Sequence, residues 1–136
     1  EQERAHAAAL AEAERIERRT RQEYWRGLSG TQFESEVAVL LRSLGHSVTI
    51  VGGPGDHGID LRIDGDTVAQ CKAHDRPLGP ATVRDLLGAL TAARAHRGLV
   101  ITLEGCRAKA SRFARQGGIE VWDLTYLMEL QRQEPA

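Results

Sequence analysis

Ile59-Asp60-Leu61-Arg62-Ile63-Asp64-Gly65-Asp66-Thr67-Val68-Ala69-Gln70-Cys71-Lys72-Ala73 reads as two strands folded back on each other. Apolar and polar residues alternate through 59–63, a second strand candidate runs over 67–73, and Asp64-Gly65-Asp66 between them is a turn signal. Successive side chains of a strand point to opposite faces. Ile59, Leu61 and Ile63 are therefore expected on one face, with Asp60, Arg62 and Asp64 on the other. In the return strand Val68, Gln70 and Lys72 share a face opposite Ala69, Cys71 and Ala73. A loop of odd length, Asp64 to Asp66, sets Asp60 opposite Gln70, whereas a two-residue turn would set it opposite Cys71 or Ala69. With the odd loop, a carboxylate, an amide and an ammonium converge.

Outward from this hairpin the periodicity changes. Residues 1–26 carry six acids, six bases and a block of alanines without Gly or Pro, which predicts a charged, exposed lead-in helix. Leu10, Ile16, Tyr24 and Trp25 make no sustained heptad, so a long coiled coil is not expected. After Gly27 to Gly30, the residues Phe33, Val37, Leu40, Leu41 and Leu44 recur at helical spacing. His46 to Val51 reads as a strand. Beyond the hairpin come a helix with Val83, Leu86, Leu87 and Leu90, an apolar strand over Gly98 to Leu103, a helix over Cys106 to Gln116, a strand over Ile119 to Leu124, and a closing helix from Thr125. Strand, helix, strand units of this length imply parallel pairing. The expected class is α/β, a mixed β-sheet flanked by helices on both faces, with a lead-in at 1–27 and one domain at 28–136.

The longest apolar runs, Val37 to Leu41 and Gly98 to Leu103, are far short of the roughly 18 residues of a membrane span. Cys71 and Cys106 stand far apart with no CxxC and no His at metal spacing, which excludes a disulfide framework and a zinc module and fits a cytoplasmic, reducing location. The chain starts at Glu1 without Met, which reads as a piece of a longer protein with an anchor or DNA-reading segment conceivable upstream. Net charge is −1, but it is unevenly distributed. Arg84 to Arg115 holds seven bases (Arg84, Arg94, Arg97, Arg107, Lys109, Arg112, Arg115) against two acids, and Asp56 to Asp66 holds four acids against one base. A cation site that acts on a polyanion needs that combination, although solvated helix faces would give it too.

Gly53-x-Gly55-x-x-Gly58 has dinucleotide-binding spacing, but a strand follows it where that fingerprint requires a helix. A tight connection between strands is the better reading. The chain has sixteen Arg and two Lys, so Lys72 in a strand suggests a need for a compact charge close to a water or phosphate oxygen. The ordinary alternative is an edge-strand charge that blocks aggregation. Glu34 follows Thr31 by three residues, the spacing of a capping box. Its functional alternative is to reach the same cation as Asp60. The histidines lack ligand spacing, and His57 and His74, near the hairpin, are expected to be bystanders.

Leu28-Ser29-Gly30-Thr31-Gln32-Phe33-Glu34, Gly52-Gly53-Pro54-Gly55-Asp56-His57-Gly58-Ile59-Asp60-Leu61, Gln70-Cys71-Lys72 and Leu99-Val100-Ile101-Thr102 together resemble the catalytic domain of Mrr-like restriction endonucleases, in the PD-(D/E)xK nuclease superfamily. The likeness runs from about Leu28 to Leu130. It implies a restriction-endonuclease-like fold and a Mg²⁺-dependent DNA endonuclease serving restriction or defence, with Mn²⁺ as an alternative ion. By motif match Asp60 is the central metal carboxylate, Gln70 stands where most of the superfamily has Glu, Lys72 is the signature lysine and Glu34 is the helix carboxylate. The Cys71 carbonyl joins the ligand set, and one negative charge fewer at Gln70 implies weaker cation binding. The basic residues from Arg84 to Arg115 are expected to contact DNA phosphates rather than base edges. Two other readings share the fold: a nucleic-acid-binding or regulatory module that no longer cuts, and a junction-resolving nuclease, which would act as a homodimer.

Overall fold

The computed structural model describes residues 1–52 and 58–135; Gly53 to His57, the centre of the glycine-rich loop, lie outside the described residues. The elements follow the expected order: α1 (Gln2–Arg26), α2 (Gly30–Ser43), β1 (Val48–Ile50), β2 (Leu61–Ile63), β3 (Thr67–Lys72), α3 (Pro80–Ala93), β4 (Arg97–Thr102), α4 (Ala108–Gln116), β5 (Ile119–Trp122) and α5 (Leu124–Gln131). They form a five-stranded sheet in the order β1-β2-β3-β4-β5. The first two pairings are antiparallel and the last two parallel. No helix of the described residues is long and apolar enough to cross a membrane.

Two apolar clusters cover the sheet. Leu61, Ile63, Ala69, Cys71, Leu99, Ile101 and Trp122 face α2, α5 and the last turn of α1. Val68, Val100 and Ile119 face α3 and α4. The chain crosses from β3 to β4 and from β4 to β5 in the same direction, so crossovers of one hand put both connecting helices on one face. Trp25 is 1% exposed, meets Phe33 edge-on at 5.8 Å and donates its indole N–H to Gln131. Core packing therefore reaches back into the end of the lead-in helix, ahead of the expected boundary at Leu28, while residues 1–20 are exposed.

The hairpin register pairs Leu61 with Ala69 and Ile63 with Thr67, so the loop is the odd one, Asp64 to Asp66. Asp64 (φ 53°) and Gly65 (φ 79°) are left-handed there, a conformation Gly and Asp tolerate best. A one-residue slip would move Leu61 and Ile63 out of the core, at about 1.5–3 kcal/mol per side chain. The apolar pattern thereby locks β3 against β2.

Two linked expectations for this hairpin fail: Ile59 on the face of Leu61 and Ile63, and Asp60 opposite Gln70. Ile59 packs in the α3–α4 cluster and not with Leu61 and Ile63. The Asp60 N–H donates to the Ala69 carbonyl at 2.9 Å although the register opposes Ala69 to Leu61. Two residues of one strand thus face one of the other, the arrangement of a β-bulge, which breaks the alternation and re-aims a side chain. That side chain is Asp60. The edge-strand reading of Lys72 also fails, because β3 is the central strand.

Candidate functional site

Glu34, Asp60, Gln70, Cys71, Lys72 and His74 line one cavity of about 380 Å³, together with Gly30, Gly58 and Ala73. Asp60 comes from the bulge ahead of β2, Gln70 to Lys72 from the end of β3, and Glu34 from the first turns of α2. The end of the sheet where the central strand stops is where these elements meet.

Glu34 does not serve the helix cap, which corrects the Thr31–Glu34 capping box. The N-cap is Ser29, whose hydroxyl accepts from the Gln32 N–H while the Gln32 side chain accepts from the Ser29 N–H. Ser29-x-x-Gln32 fits the same local rule two residues earlier. Freed from that duty, the Glu34 carboxyl faces Asp60 within hydrogen-bonding reach. Burial first, and the Asp60 carboxylate next, push Glu34 up to about 7, against the downward pull of the Lys72 ammonium.

Asp60 is held by the backbone. One carboxylate oxygen accepts from the Cys71 N–H at 2.7 Å, and the carboxyl also faces Glu34. In a strand the N–H and C=O of one residue point to the same side, so the Cys71 carbonyl also faces Asp60. Burial raises the Cys71 thiol well above its usual range, with Asp60 and Glu34 adding to the effect, so it stays protonated. Gln70 is 6% exposed, and its Oε1 has no hydrogen-bond partner among the described residues. A buried carbonyl oxygen without a partner is costly, and a cation beside it would remove that cost. A Cβ on Gly58 would lie 2.9 Å from the Gln70 Nε2, and Gly58 has φ 79°. Only glycine lets the Gln70 amide pack there.

Two carboxylates, an amide oxygen and a main-chain carbonyl form an all-oxygen donor set. Mg²⁺ and Mn²⁺ suit it, while zinc prefers nitrogen and sulfur. Among the described residues no three His, Cys, Asp or Glu side chains group as metal ligands, so such an ion would depend on Gln70 and the main chain.

The basic segment is divided by the fold. Arg84, in the second turn of α3, holds its guanidinium 5.8 Å from the Phe113 ring centroid. Arg107 is the N-cap of α4, and exposed Lys109 follows it. These three lie toward the end of the sheet where Lys72 stands. Arg97 pairs with Thr67 at the start of β3, so it lies five residues, roughly 16 Å, from the level of Lys72. Its guanidinium is also engaged by Glu120, with Nε 2.9 Å from the carboxylate. Arg94, the C-cap of α3, and Arg115, in the last turn of α4, share that far end, and exposed Arg112 lies between. His74, read as a bystander, lines the cavity. Thr102, quoted in the Leu99–Thr102 motif but given no role there, stands beside Lys72 on β4, fully buried, with its hydroxyl oxygen unpartnered among the described residues.

The Glu34 environment has a consequence for stability. Its folded pKa, about 7 against an ordinary 4.5, means that the folded state holds this proton more tightly than the unfolded chain. The stability this contributes is complete below about pH 4.5 and lost as pH rises through about 7. Without divalent cation, Glu34→Gln should therefore unfold at a higher temperature than the unmodified protein at pH 8 and show no advantage at pH 4.5. After discounting for solvent screening of a partly exposed carboxyl, the gain is about 1 kcal/mol, or about 3–4 °C. Equal melting temperatures at pH 8 would contradict the carboxyl pairing.

A family model described as restriction endonuclease, the Mrr catalytic domain, matches residues 25–131. Among solved structures, a crystal structure described as a protein of unknown function, AF1548, matches with a TM-score of 0.58 at 18% sequence identity. The match covers 71% of this chain and 63% of that one, a likeness of fold. None of the curated proteins compared with the chain matches it.

Proposed function

This chain belongs to the restriction endonuclease family of the Mrr catalytic domain, and from that premise we propose that it is a Mg²⁺-dependent endonuclease that hydrolyses phosphodiester bonds in DNA, in restriction or another defence against foreign DNA. The observation that carries the reading is the convergence of the Glu34 and Asp60 carboxyls with the unpartnered Gln70 Oε1 and the Lys72 side chain around one cavity. Asp60, Glu34, Gln70 Oε1 and the Cys71 carbonyl would hold the ion. When bound, the ion supplies Lewis-acid stabilisation of charge developing on the phosphate.

The chain's own groups do the rest. The hydrogen bond from the Cys71 N–H fixes the Asp60 carboxylate before substrate arrives, so little reorganisation is needed during reaction. With its pKa pushed up to about 7, Glu34 is about half protonated near neutral pH, and a bound cation would favour its ionised form. Lys72 presents a compact ammonium that orients the attacking water or a phosphate oxygen and offsets negative charge there. Arg84, Arg107 and Lys109 give the flanking phosphates partners at the same end of the sheet.

The test is nicking of supercoiled plasmid with Mg²⁺, Mn²⁺, Ca²⁺ or no divalent ion, with methylated and branched DNA alongside. Nicking that needs Mg²⁺ or Mn²⁺ and stops with EDTA supports the reading. DNA binding without cleavage, and without Mg²⁺ binding by calorimetry, would replace it with a non-cutting module. A second measurement addresses the basic residues. Arg84→Ala and Arg107→Ala should each lower the slope of log Kd against log salt by about one, the loss of one phosphate contact. Arg97→Ala should leave the slope unchanged, because Glu120 already engages that charge.

A further inference from the structure

Gly88 sits in the interior of α3 at an exposed position, and the fold itself does not require a glycine there. Among the described residues a Cβ built on Gly88 meets nothing within 4 Å, and its φ is not in the left-handed range. Glycine is the poorest helix former after proline, so this residue weakens α3 with no return in packing or backbone geometry. Glycine in such a place otherwise marks a close approach from outside.

A groove lies over it. Gly58, Gln70, Arg84, Asp85, Gly88 and Ala89 line an open depression of about 520 Å³. It adjoins the candidate site, since Gly58 and Gln70 line both. Gln70 is the shared wall, nine-tenths buried, with its Oε1 unpartnered among the described residues. Arg84 and Gly88 are four apart and share a face of α3. The Phe113 ring holds the Arg84 guanidinium without neutralising it. The floor is made of two glycines and an alanine, with a cation at one side and the Asp85 carboxylate next to it.

We propose that this groove seats the DNA strand beside the scissile bond, with its sugar-phosphate backbone passing over Gly88 and a phosphate against Arg84. This rests on the nuclease reading and adds the path of the substrate strand. Asp85 repels a phosphate, so the anion sits on the Arg84 side and the uncharged sugar lies toward Asp85. A side chain at 88 would occupy the space of the strand.

The experiment uses the full chain with Gly88→Ala and Gly88→Leu. Thermal unfolding is read first. DNA affinity is then read by fluorescence anisotropy on a labelled duplex in Ca²⁺, and kcat and KM for cleavage in Mg²⁺. Both variants should melt a few degrees higher than the unmodified protein because α3 gains helix propensity. Gly88→Leu should weaken DNA binding about tenfold or more and raise KM with a smaller change in kcat, while Gly88→Ala lies between. A lower melting temperature for Gly88→Ala would show that the glycine serves the protein's own packing and would overturn the proposal. Unchanged affinity and KM in Gly88→Leu, in a chain that cuts DNA, would overturn it and leave the nuclease reading standing. An unmodified chain that neither binds nor cuts DNA overturns both.

Discussion

On the proposed nuclease reading, Asp60→Asn should lower Mg²⁺-dependent DNA cleavage by about 10³-fold or more, with the fold retained and DNA affinity in the absence of Mg²⁺ changed little. The choice of Asn follows from the hydrogen bond between the Asp60 carboxylate and the Cys71 N–H at 2.7 Å. Asn can keep an acceptor oxygen at that place while it loses the charge and exchanges the second oxygen for an NH₂ group. Asp60→Ala would in addition leave the Cys71 N–H unpaired, at about 1–3 kcal/mol, so Asp60 is not a position where truncation is neutral. Loss of the charge also removes the Coulombic push of Asp60 on Glu34, the largest cause after burial. The Asn variant should therefore be at least as stable as the unmodified protein at pH 8 without divalent cation. Thermal unfolding, anisotropy in Ca²⁺ and single-turnover cleavage in Mg²⁺ give the three readouts. Cleavage within tenfold of the unmodified rate would remove Asp60 from the site.

Lys72→Met should lower the cleavage step by about 10²–10⁴-fold, and its effect on stability should have the opposite sign. Met keeps much of the apolar stem that packs in the central strand and deletes the ammonium. Lys72 pulls the Glu34 pKa down, so without it the facing carboxyls lose their compensating charge. The cation-free variant should melt lower at pH 8 than the unmodified protein and match it more closely at pH 5. Lys72→Arg is not expected to restore activity, because a planar guanidinium cannot take the place of a compact point charge. If Lys72→Met cut at the unmodified rate, or if its stability showed no extra loss toward pH 8, the ammonium would not act on this cavity.

Much of this architecture was legible residue by residue. The order of ten elements, the odd hairpin loop, and the opposition of Val68 and Gln70 to Ala69 and Cys71 follow from periods of two and 3.6. Those periods are set by backbone sterics that act within a few residues. Asp60, Gln70 and Lys72 were likewise visible as candidates, because polar groups in apolar strands are local anomalies, while Glu34, ordinary early in a helix, was a candidate through its likeness to the family's helix carboxylate.

What depended on distant partners was not legible. Two capping signals two residues apart, Ser29-x-x-Gln32 and Thr31-x-x-Glu34, satisfy the same rule, and only the formed helix shows that Ser29 caps it and Glu34 is free to face Asp60. The bulge that moves Ile59 to the other core and turns Asp60 toward Glu34 exists because β3 is locked by its apolar contacts on both faces and the approach to β2 must yield. Sheet order makes β3 central and carries Arg94, Arg97 and Arg115 to the far end from Lys72, although in sequence they form one basic segment with Arg84 and Arg107. The sequence by itself determined which residues share an element and which face of a regular strand they take, since those depend on local geometry. The tertiary structure alone decided which elements meet at the end of β3, because that follows from long-range burial of the two apolar faces of the sheet.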